Sequence, residues 1–515
     1  LLEPDHVAAL VTPDRKLARR VAAELERWNI RIDDSAGTPL SGTRLGILAR
    51  LACETAIGGG RAEKLLALIK HPLVALGGEP ADIRRAGRAL ERAVLRGPRL
   101  GSGFATLRSA LAANHRLSVE NDNDDQTGRR LTQAARGLTP EDWAAADDLA
   151  ARLDAALEPL AGLAEEAREI PLGELFEAHW ACLQALCRRS DGGGALADDE
   201  ASEDLLRRFG ELSASAHHGP QIEAADYPAF FEAILGNMPV RPRGADPRIH
   251  IWGALEARLQ HVDTIVLGGL NDGVWPLQTS LDPFLSRGMR ETLDLEPPER
   301  RIGLAAHDFT QAMGQDRVWL TRAERQDGEP RVASRWLQRL SAYAGAEAKA
   351  AMAQRGGEML ALARTLDMAD RSGNESRRPC PAPALALRPK RLSVTAIETL
   401  IRDPYAVYAR HILNLRPFEP IASQPGPSDR GSLFHDALDR FVAEHSTGPF
   451  DAEAERRLVE IGREIFDLYL EFPDVQALWW PRFRAVAAWF VSHEASRDSD
   501  VVQRLTEVTG AIDAS

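Results

Sequence analysis

Lysine is almost missing from this 515-residue chain: Lys16, Lys64, Lys70, Lys349 and Lys390 are the only five among 63 basic residues. A phosphate-binding P-loop needs lysine followed by serine or threonine, so that the ammonium reaches the terminal phosphates and the hydroxyl holds magnesium. None of the five has that neighbour, so no Walker A motif is present. Cysteine is equally scarce. Cys53, Cys182, Cys187 and Cys380 give neither a disulfide framework nor structural-zinc spacing, as expected of a reducing cytoplasm. No apolar run approaches the ~18 residues of a spanning helix, so no membrane segment is expected. The opening Leu1-Leu2-Glu3-Pro4-Asp5 has no signal-peptide character and no initiator methionine, which suggests a fragment. Net charge is −13, so any nucleic-acid contact must come from local basic patches.

Residues 7–11 are a short apolar run that reads as a buried strand. Thr12-Pro13-Asp14 then supplies a helix cap, and Leu17, Val21, Leu25 and Trp28 continue at helical spacing before Ile30-Arg31-Ile32. Strand character returns at 249–252, 263–267 and 317–320, with a helical stretch at 299–314 between the last two. This alternation predicts an α/β domain with a parallel sheet. Between its halves, segments 44–56, 61–76, 81–96, 140–168 and 171–189 have amphipathic helical spacing, broken by polar stretches at 114–130 and 190–203. The expected domains are therefore 1–40 with 245–345, a helical insertion 41–244, a linker 346–390, and a helical segment 391–515.

Three segments carry candidate chemistry. Gly268-Gly269-Leu270-Asn271-Asp272-Gly273-Val274-Trp275-Pro276 follows a strand, so its glycines bring backbone amides to the sheet edge and Trp275 offers a face for a base. A structural turn with Trp275 in the core is the plainer reading from composition. Arginines from Arg287 to Arg339, including Arg322, suit phosphate, although interspersed acids make surface pairing the default for each. In Arg430-Gly431-Ser432-Leu433-Phe434-His435-Asp436, His435 shares a helix face with Asp439 and is a candidate metal ligand; a hydrogen-bonded histidine is the plainer alternative. Asp14-Arg15-Lys16 and Glu347-Ala348-Lys349 match a nuclease D/E-x-K triplet, but one begins a helix and the other lies in an alanine-rich linker. Both read as chance. His6 and His217-His218 have no ligand companions at useful spacing.

The 268–276 segment, with Gly253-Ala254-Leu255-Glu256-Ala257-Arg258 before it, resembles the turn after motif V of UvrD-like superfamily 1 helicases. More narrowly it resembles the AddB subunits of bacterial AddAB helicase-nucleases. Pro298-Glu299-Arg300-Arg301, Leu320-Thr321-Arg322-Ala323 and Ser334-Arg335-Trp336 fit the same family. Residues 392–413 and Arg430 to Leu438 resemble the entry and first motif of a RecB-type PD-(D/E)xK nuclease domain. The resemblance implies a RecA-like second motor domain with a large helical insertion, followed by the helical start of that nuclease domain. It places His435 at the metal site and Arg258, Asn271, Trp275, Arg287 and Arg322 on nucleic acid. It also implies Mg2+ for the complete nuclease, an AddA-type helicase-nuclease partner, and single- and double-stranded DNA as ligands, in processing double-strand ends for repair.

Departures from the family temper this. The motif V region lacks the pattern of active motors, so the motor is read as degenerate, with Arg322 as the relic of its finger and no ATP bound by this chain alone. The first cysteine of the family's iron–sulfur cluster is replaced within Asp403-Pro404-Tyr405, so no cluster is expected. The later acidic motif and Asp-x-Lys have no counterpart between 441 and 515, so no catalytic residue is assigned. An active helicase with its ATP site upstream, and a non-catalytic scaffold, remain the alternatives.

Overall fold

The computed structural model describes residues 5–101, 103–120, 131–166, 168–193, 196, 200–241, 244–278, 283–297, 299–368, 378–466, 469 and 472–504. Pro298, part of the 114–130 break, and 369–377 of the expected linker lie outside them. The chain forms two compact units, 1–43 with 235–378 and 44–234 with 379–515.

The first unit is built on a five-stranded parallel sheet. Its strands are β1 (Ala8–Val11), β2 (Ile32–Asp34), β3 (Asp246–Trp252), β4 (Thr264–Leu267) and β5 (Arg317–Leu320), in the spatial order β2-β3-β1-β4-β5. Alternation on β1 decides the layering. Leu10 points to one face, where α1 (Arg15–Glu26) packs Ala18 against Ile249 and Ile251. Ala9 and Val11 point to the other, where α2 (Arg300–Ala312) packs Phe309 and Ala312 against Ile265 and Leu267. Helices therefore cover both faces, and the connections leave β1 and β4 in opposite directions. That switch point, at the carboxyl ends of the strands, is where open α/β sheets bind ligands.

The helical block is inserted between β2 and β3. Its entry and exit strands lie side by side, with Thr38 opposite Val240 and Pro39 opposite Pro239. Gly37 has φ +63°, and a Cβ there would sit 2.5 Å from the Val240 carbonyl oxygen, so only glycine allows this approach. α3 (Arg335–Asp367) occupies much of the segment expected as linker 346–390, bent where Gly345 adopts φ 80°. Its Ala, Glu, Lys, Met and Gln content is strongly helix-forming without an apolar stripe, which explains why amphipathic spacing misses it.

The second unit joins the insertion to the C-terminal segment, which were expected as separate domains. Its helices include Arg44–Ile57, Pro80–Leu90, Pro140–Glu165 and Leu172–Cys187, close to the predicted segments. Phe104–Glu120 and Glu200–Ala216 are helical where polar breaks were expected to begin or end. Buried at the centre, His179 pairs Nδ1 with the Tyr227 hydroxyl (3.0 Å) and Nε2 with the Ala49 carbonyl (2.9 Å). Segment 418–424 runs alongside 95–99: the Gly97 amide donates to the Pro420 carbonyl, the Ser423 amide to that of Gly97, and the Glu419 carboxylate accepts from the Gln133 amide. Beyond it α4 (Pro427–Glu444), α5 (Ala452–Phe466) and α6 (Trp480–Arg497) share a core of Leu433, Phe441, Leu458, Phe466 and Phe483.

Candidate nucleic-acid interface and nuclease segment

At the carboxyl edge of the sheet, the loop after central strand β1 is Thr12-Pro13-Asp14. The Asp14 carboxylate accepts hydrogen bonds from the Lys16 and Leu17 amides, 2.8 and 3.2 Å away. An anion bound at the α1 N-terminus would use those donors. They are already committed to a carboxylate, so this helix end offers no phosphate cradle. Asp14-Arg15-Lys16 is a helix cap, as its sequence suggested.

The turn after β4 is rigid for identifiable reasons. A Cβ on Gly268 would lie 2.8 Å from Leu10 Cδ1 and 3.1 Å from Leu17 Cδ2, so glycine lets the turn close over β1 and α1. Asn271 then joins this turn to the exit of β5. Its Nδ2 donates to the Ala323 carbonyl (2.7 Å) and its Oδ1 accepts from the Ala323 amide (3.0 Å). Further backbone bonds run from the Leu270 amide to the Thr321 carbonyl and from the Ser334 amide to that of Leu270. Asn271 is thus 7% exposed and serves as a brace for the loop bearing Arg322; the DNA contact that the resemblance implies for it would require this brace to open. Asn271→Ala leaves the Ala323 amide unpaired and its carbonyl with only the long 3.5 Å bond from Arg322. It should cost about 2 kcal/mol and speed amide exchange at Ala323, measured by hydrogen-exchange mass spectrometry.

Trp275 follows the plainer reading from composition, a core residue of a structural turn. It is 2% exposed, donates its indole N–H to the Gly268 carbonyl (3.0 Å) and packs edge-on to Phe309. Both ring faces are enclosed and its single donor is used, so it stacks no base in this structure. Arg258 makes a two-pronged bond to Asp308 on α2, at 2.6 and 3.0 Å. That bond raises the guanidinium pKa above its ordinary value and holds the group against the protein. The spacing of fifty residues hides this pairing from sequence. Arg287 begins a short helix and pairs with Glu299, both exposed. Arg322 stands exposed just after β5, with a long 3.5 Å bond to the Ala323 carbonyl and a 3.6 Å contact to the exposed Glu324. Of the three arginines, it is the one least committed to protein at the sheet edge.

His435 lies on the exposed side of α4, while Leu433, Ala437 and Phe441 face the core. Asp439 is one turn on. One imidazole and one carboxylate do not make the oxygen-rich octahedral set Mg2+ demands. No group of three His, Cys, Asp or Glu placed to hold a metal exists among the described residues. These residues alone do not fit the ion. Asp403 caps the helix beginning at Pro404, accepting from the Ala406 amide at 3.3 Å. The carboxylate of Asp403 therefore has a local structural use.

Comparison with known proteins gives the C-terminal segment a class. Residues 391–513 match the PD-(D/E)XK nuclease superfamily, so this part of the chain is a domain of that superfamily, whose nucleases typically use Mg2+. An uncharacterised protein of Rickettsia conorii is 23% identical over 318 residues, covering 61% of this chain and 37% of that protein. Uncharacterised proteins of Rickettsia bellii and Rickettsia felis are each 24% identical, over 320 and 325 residues. The matched region spans 37% of the length of each of these relatives. Among the described residues no helix is long and apolar enough to cross a membrane.

Proposed function

We propose that this chain is part of an AddB-type subunit of a helicase-nuclease, in which a RecA-like sheet that has lost nucleotide chemistry grips single-stranded DNA. The nuclease-superfamily domain would cut DNA with Mg2+ once its remaining acidic ligands are supplied, and an AddA-type partner would supply ATP-driven movement on duplex ends. One observation carries the reading. The carboxyl edge of a doubly covered parallel sheet keeps a braced loop after its outer strand β5 that presents Arg322, while the helix end after central strand β1 is closed to phosphate by Asp14. That arrangement suits a polymer contacted at the surface better than a nucleotide held in a cradle.

Arg322→Ala should weaken binding of a fluorescent oligo-dT and lower the magnitude of its log–log salt slope by ~0.7, the value for one phosphate contact on a single strand. An unchanged slope in a folded variant removes Arg322 from the interface. ATP hydrolysis by the full-length protein alone, abolished by the same substitution, would favour an active motor instead. A lost protein complex with DNA affinity intact would favour a scaffold.

A further inference from the structure

Helix α6 divides sharply into two faces. Phe483, Ala487 and Val491 are buried in the core of the C-terminal segment. On the outer stripe, Arg482, Ala485, Trp489, Ser492, His493 and Ser496 follow one another at helical spacing and are exposed. Trp489 is 62% exposed, and its ring lies flat against that of His493, with centroids 5.1 Å apart and planes 7° from parallel. Burial explains neither ring. The histidine fixes the orientation of the indole, whose outer face is left open by small neighbours.

Charge on this helix runs against the chain as a whole. Arg482, Arg484 and Arg497 are exposed. The only carboxylate between Trp480 and Arg497, Glu494, is 2% exposed and held by Arg497 and Arg504, both at 2.7 Å. Among the residues of the outer stripe Arg482 stands without an accompanying carboxylate, while Arg484 lies on the other side of the helix and Arg497 is paired with Glu494; one cation beside an open indole suits a polyanion carrying flat rings better than a neutral apolar partner. Arg482 lies two turns before Trp489 on the same face, about 10 Å along the axis, so a base on the indole leaves its backbone within reach of the guanidinium.

We propose that the outer face of α6 is a binding platform for single-stranded nucleic acid, with one base stacked on Trp489 and a backbone phosphate on Arg482. This rests on the nucleic-acid reading given above but uses a different surface, remote in sequence from Arg322. Fluorescence anisotropy with oligo-dT tests it on the whole chain. Trp489→Ala should reduce affinity on the order of tenfold, and Trp489→Phe should restore most of it, because aromatic stacking tolerates any ring. Arg482→Ala should lower the salt slope by ~0.7. An abasic oligonucleotide of equal length should bind more weakly and be insensitive to Trp489→Ala. If wild type binds oligo-dT while a folded Trp489→Ala binds equally well, the platform is wrong and the general reading stands. If wild type does not bind at all, both fall. Equal binding with an altered oligomeric state on light scattering would make the face a self-association surface and overturn the proposal.

Discussion

Trp275→Ala should destabilise the sheet-bearing unit by about 3–5 kcal/mol, the cost of removing a large aromatic from a closed core. The indole fills the α2 side of the sheet against Phe309, and its loss also leaves the Gly268 carbonyl without its donor. Trp275→Phe keeps most of the volume but not the donor, and should cost about 1–2 kcal/mol. Because the chain has two units, a single unfolding midpoint is a poor measure. Hydrogen exchange at β4 amides reports the relevant unit directly. Trp275→Leu, which leaves no ring to stack, should bind oligo-dT as wild type does while the unit stays folded. A large affinity loss in a Trp275→Leu protein with native exchange would return this residue to the interface.

Acidification should weaken the second unit through His179. Burial lowers its pKa from 6.5 to about 4, partly opposed by the hydrogen bond to the Ala49 carbonyl. The neutral ring donates from Nε2 to that carbonyl and accepts from Tyr227, so protonation reverses the second bond, takes away the acceptor of the Tyr227 hydroxyl and places a charge in the core. The unfolded chain takes up this proton near pH 6.5, the folded one only near pH 4. Stability is therefore fully present above pH 6.5 and is lost as pH falls towards 4, by about 3 kcal/mol in all. Carboxylates such as Glu444, whose pKa is lowered by Arg457, remain ionised through most of that interval. Denaturant melts followed across it should show the loss in wild type and a much flatter profile in His179→Gln. Equal pH slopes in the two proteins would show that His179 is not the titrating group.

The strands were legible because each is a short apolar run ending in a turn signal: β1 stops at Thr12-Pro13 and β4 at Gly268-Gly269. β2 was less so, since Asp33 and Asp34 lie in the strand and spend their polarity on partners distant in sequence, Asp34 on Arg15 and Asp33 on His250. In the helical block, Asn114 and His115 lie within Phe104–Glu120, where they read as a break. His115 instead stacks on Trp143. The candidate site was legible as a place more than as a set of roles. Sequence identified the turn at 268–276, but the partners that commit Arg258 to Asp308 and Asn271 to Ala323 lie fifty or more residues away. The Trp489–His493 pair was not singled out from the sequence, because an i,i+4 aromatic spacing reads as ordinary core packing and only its exposure separates the two.

The proposed function requires a sheet that holds a polymer without holding a nucleotide. Titrating oligo-dT with the chain over a range of salt concentrations, with and without Mg-ATP, tests both halves together. The predicted result is affinity that falls steeply with salt, with a log–log slope of about −2 or steeper for three or more contacted phosphates, and that ATP leaves unmoved. Salt-independent or absent binding, or saturable binding of ATP by this chain, would contradict it.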